Sequence, residues 1–190
     1  MSRAPAYDRE QLIAAAYDVL RRRGPDGLAL RPIAARLGVS QPALSKRIGS
    51  KRALIAEMLR WATAKTRLLI AALRGRDLRD GLRWLFRIYA RQARSPRELA
   101  HLVAFSATCL ADPALRAQLD ARDRLLTGAI AAALRRAGRP QPAATARTLV
   151  ALLDGVPLRW AIRPRGSLER ALLGSLDVVL GVSATRKGSS

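Results

Sequence analysis

Residues 37–51 read LGVSQPALSKRIGSK. The stretch is small, polar and basic, and it lies between two apolar helical patterns. Upstream, Ile33, Ala34 and Leu37 share one face and predict a short helix over 30–37, with Pro32 tolerated in its first turn. Gly38 ends that helix and permits a sharp turn. Ser40 can cap a second helix over 41–47, with Pro42 in its first turn and Ala43, Leu44 and Ile48 facing the core. A Gly49-Ser50 break follows, and Ser50 can cap a third helix from Lys51. Helix, three- to four-residue turn, helix is the helix-turn-helix spacing. In that motif the second helix lies in the major groove with its N-terminal residues at the base edges. A helical hairpin with a solvated basic face would show the same pattern, and both readings stand at this point.

Outward from this stretch the chain reads as helix throughout. Asp8, with Gln11 as its capping-box partner, opens a helix over 8–23 that ends at Gly24-Pro25-Asp26-Gly27. The helix from Lys51 continues to about Leu73. Asp77 opens the next, whose apolar residues Leu78, Leu82, Leu85, Phe86, Tyr89 and Ala93 keep helical period. Ser95-Pro96-Arg97-Glu98 is a start signal for a helix to Leu110: a cap, a proline at the first position and a capping-box glutamate. Further helices are predicted from Asp112-Pro113 to Gly138, over 142–162 with Pro157 expected to kink it, and from Ser167. Three short helices and six longer ones predict an all-α fold. Its N-terminal three-helix unit carries the helix-turn-helix, and six helices follow. The expected division is 1–52, 53–184 and a frayed tail over 185–190.

Composition narrows the function. The chain of 190 residues is 49% hydrophobic and 4% aromatic, with a net charge of +21. Such a charge calls for polyanionic partners, chiefly nucleic acid. It does not localise a site, because residues 1–60 carry 12 basic and 5 acidic residues and the rest carries 23 and 9. The interval 21–52, however, holds nine basic residues against the single acid Asp26, a bias expected of a surface that neutralises phosphates. One cysteine, Cys109, excludes an internal disulfide, and no apolar run reaches the ~18 residues of a membrane span. The expectation is a cytoplasmic protein without membrane partners. No phosphate loop, metal cluster or nucleophile–base pattern is present, so neither enzyme activity, cofactor nor metal is expected.

The candidate DNA contacts are Arg31, Ser40, Gln41, Pro42, Ala43, Ser45, Lys46, Arg47 and Lys51. A capped helix N-terminus presents free N–H groups and a positive dipole end. Ala43 and Ser45 are small enough for close approach. Gln41 can read an adenine edge, and Lys46 or Arg47 can reach guanine or phosphate.

The order Ile33-Ala34, Leu37-Gly38-Val39-Ser40, Leu44, Ile48, Ser50-Lys51, Leu54 resembles the DNA-binding domain of the TetR/AcrR family of transcriptional regulators. The family's Leu-Tyr-x-His-Phe-x-x-Lys segment stands here as LSKRIGSK, residues 44–51. Ser45 replaces the tyrosine, Arg47 the histidine and Ile48 the phenylalanine. Ala29 stands where a Ser or Thr usually caps the helix, a loss of about 1 kcal/mol locally. The resemblance implies backbone-phosphate contacts at positions 45 and 47, with Ser45 losing reach and Arg47 gaining it. It also implies a homodimer, a palindromic operator and release of a repressor by a small-molecule effector. The alternative is a non-specific basic nucleic-acid-binding protein without an effector.

For the dimer the resemblance points to the last two helices, at Leu149, Leu152, Leu153, Val156, Leu172, Leu176 and Val179. Independently, the 142–162 helix is apolar nearly all round, which a small monomer does not leave to solvent. Candidates for the effector pocket are Met58, Trp61, Trp84, Tyr89, His101, Phe105, Cys109 and Trp160; plain core packing is the competing reading of each. Arg76, Arg79, Arg83, Arg87, Arg91 and Arg94 are expected to form one cationic stripe, either solvated or engaged with an anion, DNA or a partner.

Overall fold

The computed structural model describes residues 7–181; the expected tail over 185–190 lies outside them. The described residues form nine α-helices and no strand: α1 (Arg9–Arg23), α2 (Leu30–Leu37), α3 (Gln41–Ile48), α4 (Lys51–Arg74), α5 (Leu78–Ala90), α6 (Pro96–Ala111), α7 (Pro113–Arg136), α8 (Pro142–Ile162) and α9 (Leu168–Val179). None of these helices is long and apolar enough to cross a membrane. The chain divides into two compact units, residues 1–66 with 97–122, and 67–96 with 123–190. This division differs from a cut at 52/53, because α6 and the first part of α7 pack with the N-terminal helices.

In the first unit, α1 starts where its cap chemistry predicts. The Asp8 carboxylate accepts from Gln11 N–H at 2.7 Å, and the Gln11 side chain accepts from Asp8 N–H at 2.7 Å. Leu12, Ile13, Ala16, Val19 and Leu20 are buried. They meet Leu28, Ile33, Ala34, Leu44, Leu54, Met58, Phe105 and Cys109 in one core. Here α2 packs on both α1 and α3. Ala29 occupies the N-cap of α2 without a side-chain hydrogen bond. Pro32 costs little in the first turn, where an N–H would have had no helical acceptor.

The second unit packs α9 against α8 and α5. Its core holds Leu82, Leu85, Phe86, Ile130, Leu134, Leu149, Leu153, Leu172 and Leu176. The α5 helix is shorter than its apolar period suggests. It ends at Ala90, and the Arg91 N–H turns back to Ile88 O at 3.2 Å, so Ala93 is buried outside the helix. A proline at position 96 disfavours helical backbone at 95, and Ser95 with Pro96 starts a new helix instead. This end also breaks the expected arginine stripe. Arg76 precedes α5 and Arg91 and Arg94 follow it, leaving Arg79, Arg83 and Arg87 within the helix. Arg83 Nη1 donates to both Asp177 oxygens of α9, at 2.7 and 2.8 Å, and Arg87 Nε reaches Glu169 at 3.3 Å. Part of the stripe therefore fastens α9 to α5. α8 runs through Pro157, whose ring is buried.

Candidate nucleic-acid interface

The turn between α2 and α3 is built on Gly38, which sits in the left-handed region at φ 66°, ψ 28°. A Cβ there would meet nothing within 4 Å, so backbone conformation rather than space selects glycine. Val39 N–H closes on Ala34 O at 3.1 Å, satisfying a carbonyl that the end of α2 leaves open. Ser40 follows in extended backbone, and its hydroxyl accepts from Ala43 N–H at 3.3 Å. With Ser40 as cap and Pro42 in the first turn, α3 begins sharply, and its N-terminal residues Gln41, Pro42 and Ala43 are all exposed. Leu44 is the one side chain of α3 that is fully buried, with Val39 and Ile48 partly buried against the same core. An eight-residue helix has no stability of its own. It is held by this apolar edge, which leaves the opposite face open.

The expected contact residues separate into two groups. Arg31, Gln41, Pro42, Ala43 and Lys46 are exposed, and Arg31 and Lys46 have no hydrogen-bond or ion-pair partner among the described residues. Ser45 is half-buried. Arg47 and Lys51, although exposed, are engaged. Arg47 Nη1 donates to Tyr7 O at 3.1 Å, and its guanidinium carbon lies 4.6 Å from the Tyr7 ring centroid. Lys51 Nζ donates to Pro25 O at 2.6 Å, which ties the start of α4 to the turn after α1.

Other cations of the interval are paired too. Arg36 and Arg22 converge on Asp18 at 2.7 and 3.2 Å. Arg52 forms a two-pronged pair with Asp112, Nε to Oδ2 at 2.6 Å and Nη2 to Oδ1 at 3.1 Å. Asp112 also accepts from the N–H groups of Ala114 and Leu115 at the start of α7. The Arg52 hydrogen bond, helped by these backbone donors, holds the Asp112 carboxyl down at about 2. Glu57 also lies below its ordinary value: burial pushes it up, but hydrogen bonds from Arg60 and Arg9 outweigh that.

The eight expected pocket residues fall in both units. In the first, Met58, Phe105 and Cys109 are core residues, and burial pushes the Cys109 thiol up to about 11. Trp61 packs on Tyr17 with ring centroids 5.8 Å apart. His101 Nδ1 is 2.6 Å from Arg21 O, and its ring lies against Gly24 at the end of α1. In the second, Trp84, Tyr89 and Trp160 are partly buried against the core. Arg76 lies 4.6 Å over the Trp84 ring, and Trp160 Nε1 donates to Gly166 O at 3.1 Å. A cleft of about 510 Å³ in the first unit is lined by Tyr7, Gln11, Ala14, Asp18, Arg36 and Leu37, with none of the eight among its walls.

Of the expected dimer residues, Leu149, Leu153, Leu172 and Leu176 are buried within their own chain, and Leu152, Val156 and Val179 are partly buried against the same core. The first four are therefore spent on packing α8 and α9 together. The apolar side chains left on the surface of these helices are Leu158, Ile162 and Val178, at 47, 69 and 79% exposure. Sequence reading missed them because an all-round apolar helix does not disclose which side faces inward. It also missed Tyr7, for which there was a signal: an apolar residue just before a helix cap commonly packs against the first turns of that helix.

A three-helix head with a glycine turn and a capped, exposed second helix, followed by further helices, defines a helix-turn-helix regulator. The comparisons with known proteins agree. Residues 12–58 match the bacterial regulatory proteins of the tetR family, and residues 74–176 match the BetI-type transcriptional repressor C-terminal family. The chain belongs to the TetR family of transcriptional regulators. Over 48 residues, 25% of the chain, it is 44% identical to the class D tetracycline repressor protein of Escherichia coli and to the class H protein of Photobacterium damsela subsp. piscicida. The match spans 22% of the length of each of these curated relatives. Among solved structures, a transcriptional regulator from Rhodococcus sp. Rha1 is 26% identical with a TM-score of 0.72, over 92% of this chain and 97% of that one. The multidrug binding protein EbrR, complexed with malachite green, is 25% identical with a TM-score of 0.63, over 90 and 96%.

Proposed function

We propose that the protein is a homodimeric, sequence-specific DNA-binding repressor that a small-molecule effector releases from a palindromic operator. One observation carries the reading: the left-handed Gly38 turn delivers a capped α3 whose first three residues are exposed. Gln41 would pair with an adenine edge, Pro42 and Ala43 would contact thymine methyl groups, and the free N–H groups of the α3 N-terminus would meet phosphate. Ser40 and Ser45 would flank this contact, with Lys46 and Arg31 as the phosphate-neutralising cations and Lys51 fixing the start of α4. A dimer formed through Leu158, Ile162 and Val178 would set two such helices ~34–36 Å apart, on successive turns of one face of the duplex. Leu152, Val156 and Val179 would form the shoulder of that interface above the buried leucines.

The effector would be an apolar or aromatic molecule; Trp61 and His101, backed by Met58, Phe105 and Cys109, are the candidates to hold it within the first unit, and Trp84, Tyr89 and Trp160 those within the second. The likeness to EbrR, a multidrug binding protein solved with malachite green, supports that class. Release is a linkage: an effector that binds better to a conformer with mis-spaced heads lowers operator affinity by that difference. Residues of α4 belong to both units, which makes that helix the natural lever. The net charge of +21 favours a second reading, non-specific coating of nucleic acid. Selection from random duplex DNA, repeated with aromatic cations, separates the two. Enrichment of a palindrome supports the repressor; a pool without sequence preference supports the coating protein.

A further inference from the structure

The Arg47 side chain stands out among the cations of the helix-turn-helix because of where it is spent. It sits in the last turn of α3, yet its guanidinium is on Tyr7, 40 residues earlier in the chain. The Tyr7 side of this contact is buried. Tyr7 is only 7% exposed, belongs to the first unit's core and directly precedes the Asp8 capping box of α1. The contact has two parts, an N–H to the Tyr7 carbonyl at 3.1 Å and a stack at 4.6 Å from the ring centroid. A planar guanidinium makes both at once; an ammonium does not. Meanwhile α3 has a single fully buried anchor, Leu44, near its middle. Ile48, one turn further on, is only partly buried against the core, and at that end the Arg47–Tyr7 contact adds a directional tie that apolar packing lacks.

We propose that Arg47 is a positioning residue of the recognition helix, with Tyr7 as its seat, and not one of the residues that neutralise phosphate. The proposal rests on the reading that α3 enters the groove. Arg47 fixes the pitch of α3, and so the height at which Gln41 meets the bases. Phosphate contact from this helix then falls to Lys46, which is exposed and has no partner among the described residues. Position 47 contributes to affinity through geometry, and the Tyr7 ring, outside the helix-turn-helix, contributes through the same contact.

Salt dependence separates the two roles, because each neutralised phosphate adds about 0.9 to the slope of log affinity against log salt. The experiment measures affinity and slope by fluorescence anisotropy on the duplex enriched by the full-length protein. The variants are Arg47→Gln, Arg47→Lys, Tyr7→Leu, the Arg47→Gln/Tyr7→Leu double, and Lys46→Gln. Tyr7→Leu, which removes the ring but keeps the carbonyl, is expected to weaken binding by about 3- to 30-fold for a partly desolvated cation–ring contact, and Arg47→Gln, which removes both parts of the contact, by at least as much. The double variant should lose no more than Arg47→Gln alone, with the slope unchanged in all three. Arg47→Lys should not rescue, and Lys46→Gln should lower the slope by about two, one phosphate in each half-site of the dimer. Circular dichroism and melting establish that each variant is folded at the assay temperature. If Tyr7→Leu is not, Tyr7→Phe, which keeps ring and carbonyl, must bind like the parent, and Arg47→Gln carries the slope test alone.

Three results overturn the proposal: Arg47→Gln lowers the slope by about two while Tyr7→Leu binds normally; the two losses add; or melting temperature falls with no change in affinity. A parent protein without sequence preference removes the underlying reading along with the proposal, whereas a selective parent with a phosphate-like Arg47 removes the proposal alone.

Discussion

Replacing Gly38 by alanine tests whether the turn is selected by backbone conformation. The residue lies at φ 66°, ψ 28°, and an added Cβ meets no atom within 4 Å, so no neighbour has to move. What remains is the intrinsic penalty of the left-handed region, ~1–2 kcal/mol for an L-residue. Against it stands the lower entropy of the unfolded alanine chain, ~0.4–1 kcal/mol in favour of folding. The net is a destabilisation of about 0 to 1.6 kcal/mol, centred near 0.8, and Gly38→Asn should cost less because asparagine tolerates this conformation. Gly128 within α7 has the same open surroundings but ordinary helical backbone, so Gly128→Ala should stabilise by ~0.5–1 kcal/mol. Urea unfolding followed by circular dichroism, at fixed protein concentration, reads both signs. Amide exchange in α3 should accelerate by up to about 15-fold in Gly38→Ala, the same free energy expressed as local opening. A stabilising Gly38→Ala would refute the argument, since it leaves no other penalty to invoke.

Further expectations concern charge, packing and assembly. Asp112 titrates at about 2 when folded, below its ordinary value. Its contribution is therefore complete above the ordinary aspartate range and is lost as pH falls from about 4 through about 2. Asp112→Asn keeps a capping side chain but loses the charge pair with Arg52, so melting temperature against pH should be flatter than the parent's over that window; an identical acid limb would contradict this. Cys109, with its thiol pushed up to about 11 and its side chain buried, should resist iodoacetamide at pH 8 until urea unfolds the chain. Arg83→Gln removes the pair with Asp177 and should cost at most about 1 kcal/mol, leaving the salt slope of DNA binding unchanged. A reduced slope would place that arginine on DNA. Leu158→Arg with Ile162→Arg should yield a folded monomer by sedimentation equilibrium, because both side chains are exposed within one chain; a dimer of unchanged strength would move the interface elsewhere.

Most of the fold was legible because its boundaries are written in local chemistry. Asp8 with Gln11, Ser40 with Pro42, Ser95 with Pro96 and Ser167 each mark a helix start that a few neighbouring residues determine. The helix-turn-helix was readable for the same reason. What escaped depends on partners distant in sequence. The Arg47–Tyr7 contact could not be read because Tyr7 lies 40 residues earlier. The pairing of Arg83 and Arg87 within the expected stripe could not be read because their acids, Asp177 and Glu169, lie 94 and 82 residues on. Leu149 and Leu172, placed at the dimer by the resemblance, are buried within one chain, because periodicity says that a face is buried and does not say against which neighbour. The aromatic candidates for an effector site were chosen by residue type alone, which core packing satisfies equally well.

The central claim is that α3 reads base edges through its exposed N-terminus. Gln41→Ala, carried through the same selection from random duplex DNA as the parent, tests it most directly. The side chain is exposed and the helix is capped by Ser40, so the variant should fold normally. The account predicts that the salt slope stays as it was and that preference relaxes at one base pair in each half-site, a loss of ~1–3 kcal/mol of discrimination there. A variant that enriches the same operator with the same preference at every position would contradict it.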